Sequence, residues 1–288
     1  MSFSSEVKEE LGKAISTARH CQLAELAALM SFCGQYGRDT SGNFIIGFQT
    51  ENEAARRKGF TLLRKTYNID TDVAISEEQM HNLFQKIGSL EEPVSNLLIK
   101  NSCCQRAFLR GAFLSVGSMS DPQKGYHLEF VCTNEDKAKQ LQTVMQGFDI
   151  EAKIVPRKKY YVVYLKEGAG IVDLLNVCEA HVALMKLENL RILKEMRNSI
   201  NRRVNCEAAN ITKTVNAATR QIEDIEYLRD YYGLQKLPEG LRQMAEVRLE
   251  HPDAPLKELG EYLDPPVGKS GVNHRLRKLS ELADRIRT

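Results

Sequence analysis

The sequence predicts an α+β fold: a duplicated domain over residues 1–200, a connecting helix over 201–232, and a small all-α domain over 233–288. Three observations predict it. Leu26 to Gly34 (LAALMSFCG) and Leu109 to Gly117 (LRGAFLSVG) are similar segments lying 83 residues apart, so the copies cover about 21–100 and 104–200. Repetition at that period is a duplicated domain and not a solenoid. The same offset carries strand-like Phe44-Ile45-Ile46-Gly47-Phe48 onto His127-Leu128-Glu129-Phe130-Val131, and Thr50 onto Thr133, giving each copy a helix, strands, a helix and further strand. Third, residues 255–288 alternate apolar helical stripes with a proline- and glycine-bearing turn.

Taken in order, Met1 to Ala18 reads as a short charged helix, with Val7, Leu11 and Ile15 stepping by four. The opening helix of each copy is rich in small residues: Ala24, Ala27, Ala28 and Gly34 in one, Ala107, Gly111, Ala112 and Gly117 in the other. Small side chains let backbones approach, so the two helices are expected to pack side by side at a pseudo-twofold axis. Later helices are expected from about Asn52 to Tyr67 and Glu135 to Gly147. Strands are expected at Asp70 to Ile75, Ile150 to Val155 and Tyr160 to Leu165. Ser76 to Lys100 reads as mostly helical. Asp39 and Asp121 do not correspond under the offset and read as turn residues.

Arg157-Lys158-Lys159 falls at a hairpin turn; a solvated turn and a phosphate contact from the sheet edge both fit it. Ile171 to Ser199 reads as a helical run closing the second copy. From Lys186 to Arg203 there are six cations (Lys186, Arg191, Lys194, Arg197, Arg202, Arg203) against two acids, which fits either a solvated face or phosphate contacts by Arg197, Arg202 and Arg203. Cys206 to Tyr232 reads as the connecting helix, with Ile211, Val215, Ala218, Ile222, Ile225 and Leu228 forming one stripe.

The last domain opens at Leu237-Pro238, with Leu241, Met244, Ala245 and Leu249 on its core side. Leu256, Leu259 and Leu263 then form a short helix stopped by Pro265 and Pro266. Gly268 permits a bend, and Ser270 is placed to cap the next helix, whose stripe is Val272, Leu276, Leu279, Ala283 and Ile286. From Val267 to Leu279 there are four cations (Lys269, Arg275, Arg277, Lys278) and no acid. A short helix, a tight turn and a basic helix match the layout of a helix-turn-helix that reads double-stranded DNA. Arg and Asn have the donor geometry for guanine and adenine edges. Small residues at a helix start, here Ser270 and Gly271, admit a phosphate. The expected DNA-facing set is Lys269, Ser270, Gly271, Asn273, His274, Arg275, Arg277 and Lys278. The competing reading is an ordinary helical hairpin with a solvated basic face.

Composition narrows the classes. With 27% charged and 42% hydrophobic residues a packed core is expected, and the net charge of +2 confines nucleic-acid affinity to local patches. No apolar run approaches a membrane span, and MSFSSEVKEELGK is too charged for a signal peptide, so a cytoplasmic protein is expected. Seven cysteines occur without any CxxC pair, which argues against a zinc site and against a disulfide framework, and for reduced thiols.

Leu26 to Gly34 resembles the LAGLIDADG motif of homing endonucleases, and the segment ending Ser115-Val116-Gly117 resembles a weaker copy. In that family the acid before the final glycine binds the catalytic divalent metal. Here those positions are Cys33 and Val116, and Ser31 and Leu114 two residues earlier are not acidic. None is a hard oxygen donor of the kind magnesium requires. The resemblance therefore implies the scaffold and contradicts its chemistry: no catalytic residues, no metal, no cofactor.

Along its whole length the chain resembles the WhiA family of bacterial DNA-binding regulators. The specific stretches are Arg106 to Phe113 (RAFLRGAF), Tyr126 to Glu129 (YHLE), Asn201 to Glu207 (NRRVNCE) and Lys269 to Leu276 (KSGVNHRL). That resemblance implies a degenerate homing-endonuclease-like domain fused to a helix-turn-helix. It also implies a transcription-linked role in cell division, chromosome segregation or sporulation, at the nucleoid. The alternatives are a scaffold whose repeat domain binds a protein co-regulator, and a residual endonuclease. No small-molecule substrate is expected.

Overall fold

The computed structural model describes residues 2–70 and 75–287. By its internal contacts the chain divides into two units, Met1–Glu195 and Met196–Thr288.

The first unit begins with α1 (Phe3–Lys13), α2 (Arg19–Cys33), the hairpin β1 (Gly34–Arg38) and β2 (Phe44–Phe48), α3 (Glu53–Tyr67) and α4 (Glu77–Ile87). The second copy follows: α5 (Ser102–Val116), β3 (Gly117–Met119), β4 (Leu128–Cys132), α6 (Glu135–Gln146), β5 (Lys153–Arg157), β6 (Tyr160–Leu165) and α7 (Gly168–Val177). The sheets are antiparallel, two-stranded β1-β2 and four-stranded β3-β4-β6-β5. Equivalent joints close both copies: Gly34 pairs with Phe48 in one and Gly117 with Phe130 in the other.

The two opening helices do lie side by side. A Cβ on Gly111 would stand 2.6 Å from the Glu25 carbonyl oxygen and 2.9 Å from Ala28 Cβ. Ala28 and Gly111 are the same position in the two copies under the 83-residue offset. The crossing therefore sits on the pseudo-twofold axis, and the smallest residue is required there. Glu25, Lys58 and Arg110 are buried beside this crossing. Lys58 Nζ and Arg110 Nε both reach Glu25 Oε1, the latter at 3.0 Å, and Arg110 continues to Glu179.

α1 docks by Val7 and Leu11, both fully buried. The Ser4 hydroxyl accepts the Met119 N–H at 3.2 Å. The Glu10 carboxylate accepts the N–H groups of Val182 and Ala183 at 2.8 and 2.9 Å, and Glu6 pairs with Lys186 at 2.8 Å. Asp39 and Asp121 are turn residues: Asp39 accepts the Ser41 and Asn43 N–H groups, and Asp121 that of Gln123.

Several expectations need correction. Ser76 to Lys100 is helical only through Ile87; Gly88 leaves the helix at φ 89° and the stretch to Lys100 is irregular. The strand expected at Asp70 to Ile75 falls largely outside the described residues, though Ile75 bridges Phe44. β1 and β3 were not foreseen, because glycine-bearing Gly34-Gln35-Tyr36-Gly37 does not alternate. The run Ile171 to Ser199 is broken: Glu179 takes φ 65° between α7 and α8 (His181–Tyr231). α8 then absorbs the connecting helix in one unbroken element. Its apolar stripe is packed only at the end. Ile225 and Leu228 are buried, whereas Ile211 is 65% and Val215 55% exposed.

In the second unit, α9 (Glu239–Glu250), α10 (Leu256–Glu261) and α11 (Lys269–Arg287) follow. Their core joins Ile225, Leu228, Met244, Ala245, Leu259, Leu263, Val272, Leu276, Leu279 and Ala283. Arg287 pairs with buried Asp224 at 2.7 Å, and Arg220 with Asp284 at 3.4 Å, tying α11 to α8. α10 ends at Glu261, ahead of both prolines, so Leu263 joins the core from the turn. α11 starts at Lys269, not after Ser270: the Gly268 carbonyl accepts its first helical N–H bonds. The turn closes where the Val267 N–H donates to the Gly260 carbonyl at 2.9 Å.

Two glycines are testable. Gly111→Ala gains about 1 kcal/mol of helix propensity, but its Cβ meets backbone and a rigid methyl, an overpacking cost of about 1–3 kcal/mol. Urea denaturation is expected to show net destabilisation of the repeat unit. At Gly260 a Cβ would stand 2.0 Å from the Val267 carbonyl oxygen. Gly260→Ala should therefore lower the calorimetric transition of the C-terminal unit and leave that of the repeat unit in place.

Candidate nucleic-acid interface

Four buried residues of α11, Val272, Leu276, Leu279 and Ala283, define its inward face. Helical spacing then places Ser270, Asn273, His274, Arg277 and Lys278 outward, and all five are exposed, as is Lys269 at the helix start. These six groups share one accessible surface over the first three turns. Arg277 Nε lies 3.4 Å from Glu281 Oε1, one turn along and itself outward, which marks where the acid-free stretch ends. The first turn of α11 carries no acid, so no carboxylate there competes for its positive dipole end.

Two members of the expected set stand apart. Gly271 is half-buried, and a Cβ there would meet Val267 Cγ1 at 2.4 Å; packing in the turn accounts for this glycine. Arg275 is half-buried on the flank of α11, its guanidinium carbon 3.4 Å from the place a Cβ of Gly240 would take, at the start of α9. Arg220 is held by acids, and Asn216 is exposed.

The other basic residues are exposed at separate places. Lys158 and Lys159 are the two-residue turn between β5 and β6, with Lys158 at φ 58° and Arg157 paired opposite Tyr160. Arg197, Arg202 and Arg203 lie along α8, and Arg203 pairs with Glu207 at 3.2 Å. Among the described residues no hydrogen bond or ion pair joins these three to α11. The remaining cations of the run have partners: Arg191 pairs with Glu188, and Lys194 donates to the Pro122 carbonyl at 2.7 Å.

At the C-terminal ends of α2 and α5 there is no pair of carboxylates. Cys33 is buried and its thiol donates to the Leu29 carbonyl at 3.3 Å, while Val116 is half-buried. Burial pushes the Cys33 thiol up, against a hydrogen bond with Ser115 and the charge of Lys8. Lys8 comes from α1, with Nζ 6.0 Å from the centre of the Phe113 ring. A cation thus stands near the position where the endonuclease scaffold would gather anions around a metal. Burial lowers the Lys8 ammonium to about 8 from its usual 10.5. No local sequence signal singled out Lys8.

The fold and these sites define a class: a duplicated endonuclease-like domain with Cys33 and Val116 in place of its metal acids, followed by an all-α helix-turn-helix unit. Residues 19–83 match the WhiA N-terminal LAGLIDADG-like domain, residues 105–197 the WhiA LAGLIDADG-like domain, and residues 200–283 the WhiA C-terminal HTH domain. The chain belongs to the WhiA family. It is 52% identical to the "Probable cell division protein WhiA" of Lachnoclostridium phytofermentans, with all of both chains covered. To that of Alkaliphilus oremlandii it is 47% identical, covering 99% of this chain and 98% of the other. The crystal structure of full-length DUF199/WhiA from Thermatoga maritima superposes with a TM-score of 0.60 at 27% identity, covering 99% of each chain. Among the described residues, no helix is long and apolar enough to cross a membrane.

The lowered Lys8 pKa gives a pH-dependent test. Between about pH 8 and 10.5 an unfolded chain still holds the proton that folded Lys8 has released, so this group makes stability rise with pH across that window. Below pH 8 the penalty for burying the ammonium is fully present. Lys8→Met should stabilise the repeat unit at pH 7 by on the order of 1 kcal/mol, discounted for partial exposure. The advantage should shrink as denaturation is repeated toward pH 10.5.

Proposed function

We propose that this protein is a sequence-specific transcription regulator that binds double-stranded DNA through α11 and has no nuclease activity. The observation that carries the reading is the outward, acid-free face of Lys269, Ser270, Asn273, His274, Arg277 and Lys278 on a helix-turn-helix core. Such a face offers fork and amide donors for base edges and point charges for phosphates. Gly271 and Arg275, also in the expected set, support the surface from the turn and the flank.

Arg157, Lys158 and Lys159, with Arg197, Arg202 and Arg203, supply secondary phosphate contacts in this reading, or leave the repeat domain free for a protein co-regulator. The relatives' name, probable cell division protein, supports cell division as the regulated process in this reading; chromosome segregation and sporulation belong to the same reading, as does a cytoplasmic, nucleoid-associated location. The absence of nuclease chemistry in this reading rests on Cys33 and Val116 standing where metal-binding acids would be needed, with the Lys8 ammonium close by.

The test starts from duplexes selected out of random DNA by the full chain. Arg277→Ala should cost about 1–3 kcal/mol on the selected site and relax preference at one position. Lys278→Ala should weaken all duplexes alike and reduce the salt slope by about 1. Plasmid incubated with magnesium should give no linear product. Wild-type binding by both variants would remove α11 from the interface, and cleavage would reinstate the enzyme.

A further inference from the structure

The N-terminal ends of α2 and α5 bring two dipeptides together, His20-Cys21 and Cys103-Cys104. They are equivalent under the 83-residue offset, His20 to Cys103 and Cys21 to Cys104, so the pseudo-twofold axis that passes Ala28 and Gly111 also relates these pairs. His20 Nδ1 lies 3.2 Å from Cys104 Sγ, 3.3 Å from Cys21 Sγ and 4.0 Å from Cys103 Sγ, and all four donor atoms fall within 4.8 Å of one another.

The geometry points to a structural zinc site of three thiolates and one imidazole, formed by His20, Cys21, Cys103 and Cys104, that clamps the two copies together at the start of their central helices. Zinc takes sulfur at about 2.3 Å and nitrogen at about 2.0–2.1 Å in a tetrahedron, whose edges are then roughly 3.6–3.8 Å. The nitrogen–sulfur separations already bracket that length, and closing the shell draws in four donors that already lie within 4.8 Å of one another. Soft sulfur donors select zinc over magnesium or calcium. The charge balance also suits the site. Three thiolates around a divalent ion leave one negative charge, and each helix N-terminus contributes about half a positive charge. Neither helix end is capped by a side chain: Ala18 and Asn101 make no such bond. Cys21 and Cys104 are buried while His20 and Cys103 face solvent, which leaves an entry path for the ion.

Zinc motifs in sequence are recognised by ligands two to four residues apart on one segment. Here each segment supplies an adjacent pair and the other pair is 83 positions away, so the absence of CxxC does not bear on the site.

The test uses the full chain purified under reducing conditions. One zinc per chain should be retained, and replacement with cobalt should give the strong visible bands of a tetrahedral thiolate complex. Cys103→Ser and His20→Gln alter exposed side chains and should keep the circular dichroism of the wild type while binding zinc at least tenfold more weakly. Cys206→Ser, at the other exposed cysteine, should bind as wild type does. Chelation should lower the melting temperature of the wild type more than that of Cys103→Ser. The proposal is overturned if the reduced protein takes neither zinc nor cobalt, if cobalt gives only weak octahedral bands, if Cys103→Ser and His20→Gln bind as tightly as wild type, or if the resting protein holds a disulfide within the cluster and no metal.

Discussion

The contact between backbone and backbone where α2 crosses α5 is the constraint on which the repeat unit depends. At Ala28 and Gly111 nothing larger than a hydrogen fits on one side, so the two copies meet at a fixed depth and angle. The charged residues beside the crossing sharpen that requirement. Glu25 is fully buried with Lys58 and Arg110 on one of its oxygens. A buried ion of this kind is costly if a partner is withdrawn, about 3–5 kcal/mol, so any sliding of one helix along the other is opposed by electrostatics as well as by sterics. From the crossing outward, each helix runs to a glycine, Gly34 or Gly117, where the chain turns directly into the first strand of its sheet. Sheet position in both copies follows from one close approach.

The architecture is that of the LAGLIDADG-like scaffold, while Cys33 and Val116 occupy the positions before its two glycines. A pair of carboxylates at the ends of α2 and α5 would repel each other unless a cation sat between them. With a thiol and a valine there, and an ammonium brought by α1, the site is held by packing and needs no ion for charge balance. In the proposed function nucleic-acid recognition falls to the second unit, whose core is built from α8, α9, α10 and α11 and whose outward helix face carries cations undiluted by acids for three turns. A chain with a net charge of only +2 can still bear such a basic face: four cations are concentrated on one helix, while many others are held in internal pairs such as Arg287 with Asp224 and Lys186 with Glu6.

Much of the fold could be read from residue order because it rests on periodicity. The duplication, the small-residue crossing, the apolar stripe from Val272 to Ala283 and the hairpin at Lys158-Lys159 all leave local patterns. What escaped were features created by chain segments meeting at a distance. β1 and β3 exist because a partner strand stands beside Gly34 and Gly117, not because their own residues favour extension. The unbroken α8 joins two stretches whose stripes differ in burial, so its period changed meaning midway, and Ile211 and Val215 ended exposed. On α11 the cations are evident in the sequence, but that Arg275 leans on α9 and Gly271 on Val267 depends on neighbours the local pattern does not specify. The buried pairing of Lys58 and Arg110 on Glu25 joins three helices and leaves no local pattern in any of them.

The docking of α1 sets the order in which the molecule can mature. Its partners form two sets: α3, where Arg57 pairs with Glu9 and Lys58 donates to the Leu11 carbonyl, and, far down the chain, Met119, Val182, Ala183 and Lys186. At translation speeds of about 5–20 residues per second, the last of them leaves the ribosome on the order of ten to thirty seconds after α1 does. Through that interval α1 has only α3 to lean on. α1 is therefore among the last parts of the repeat unit to complete its docking, and it is a segment on which a ribosome-associated chaperone has time to act.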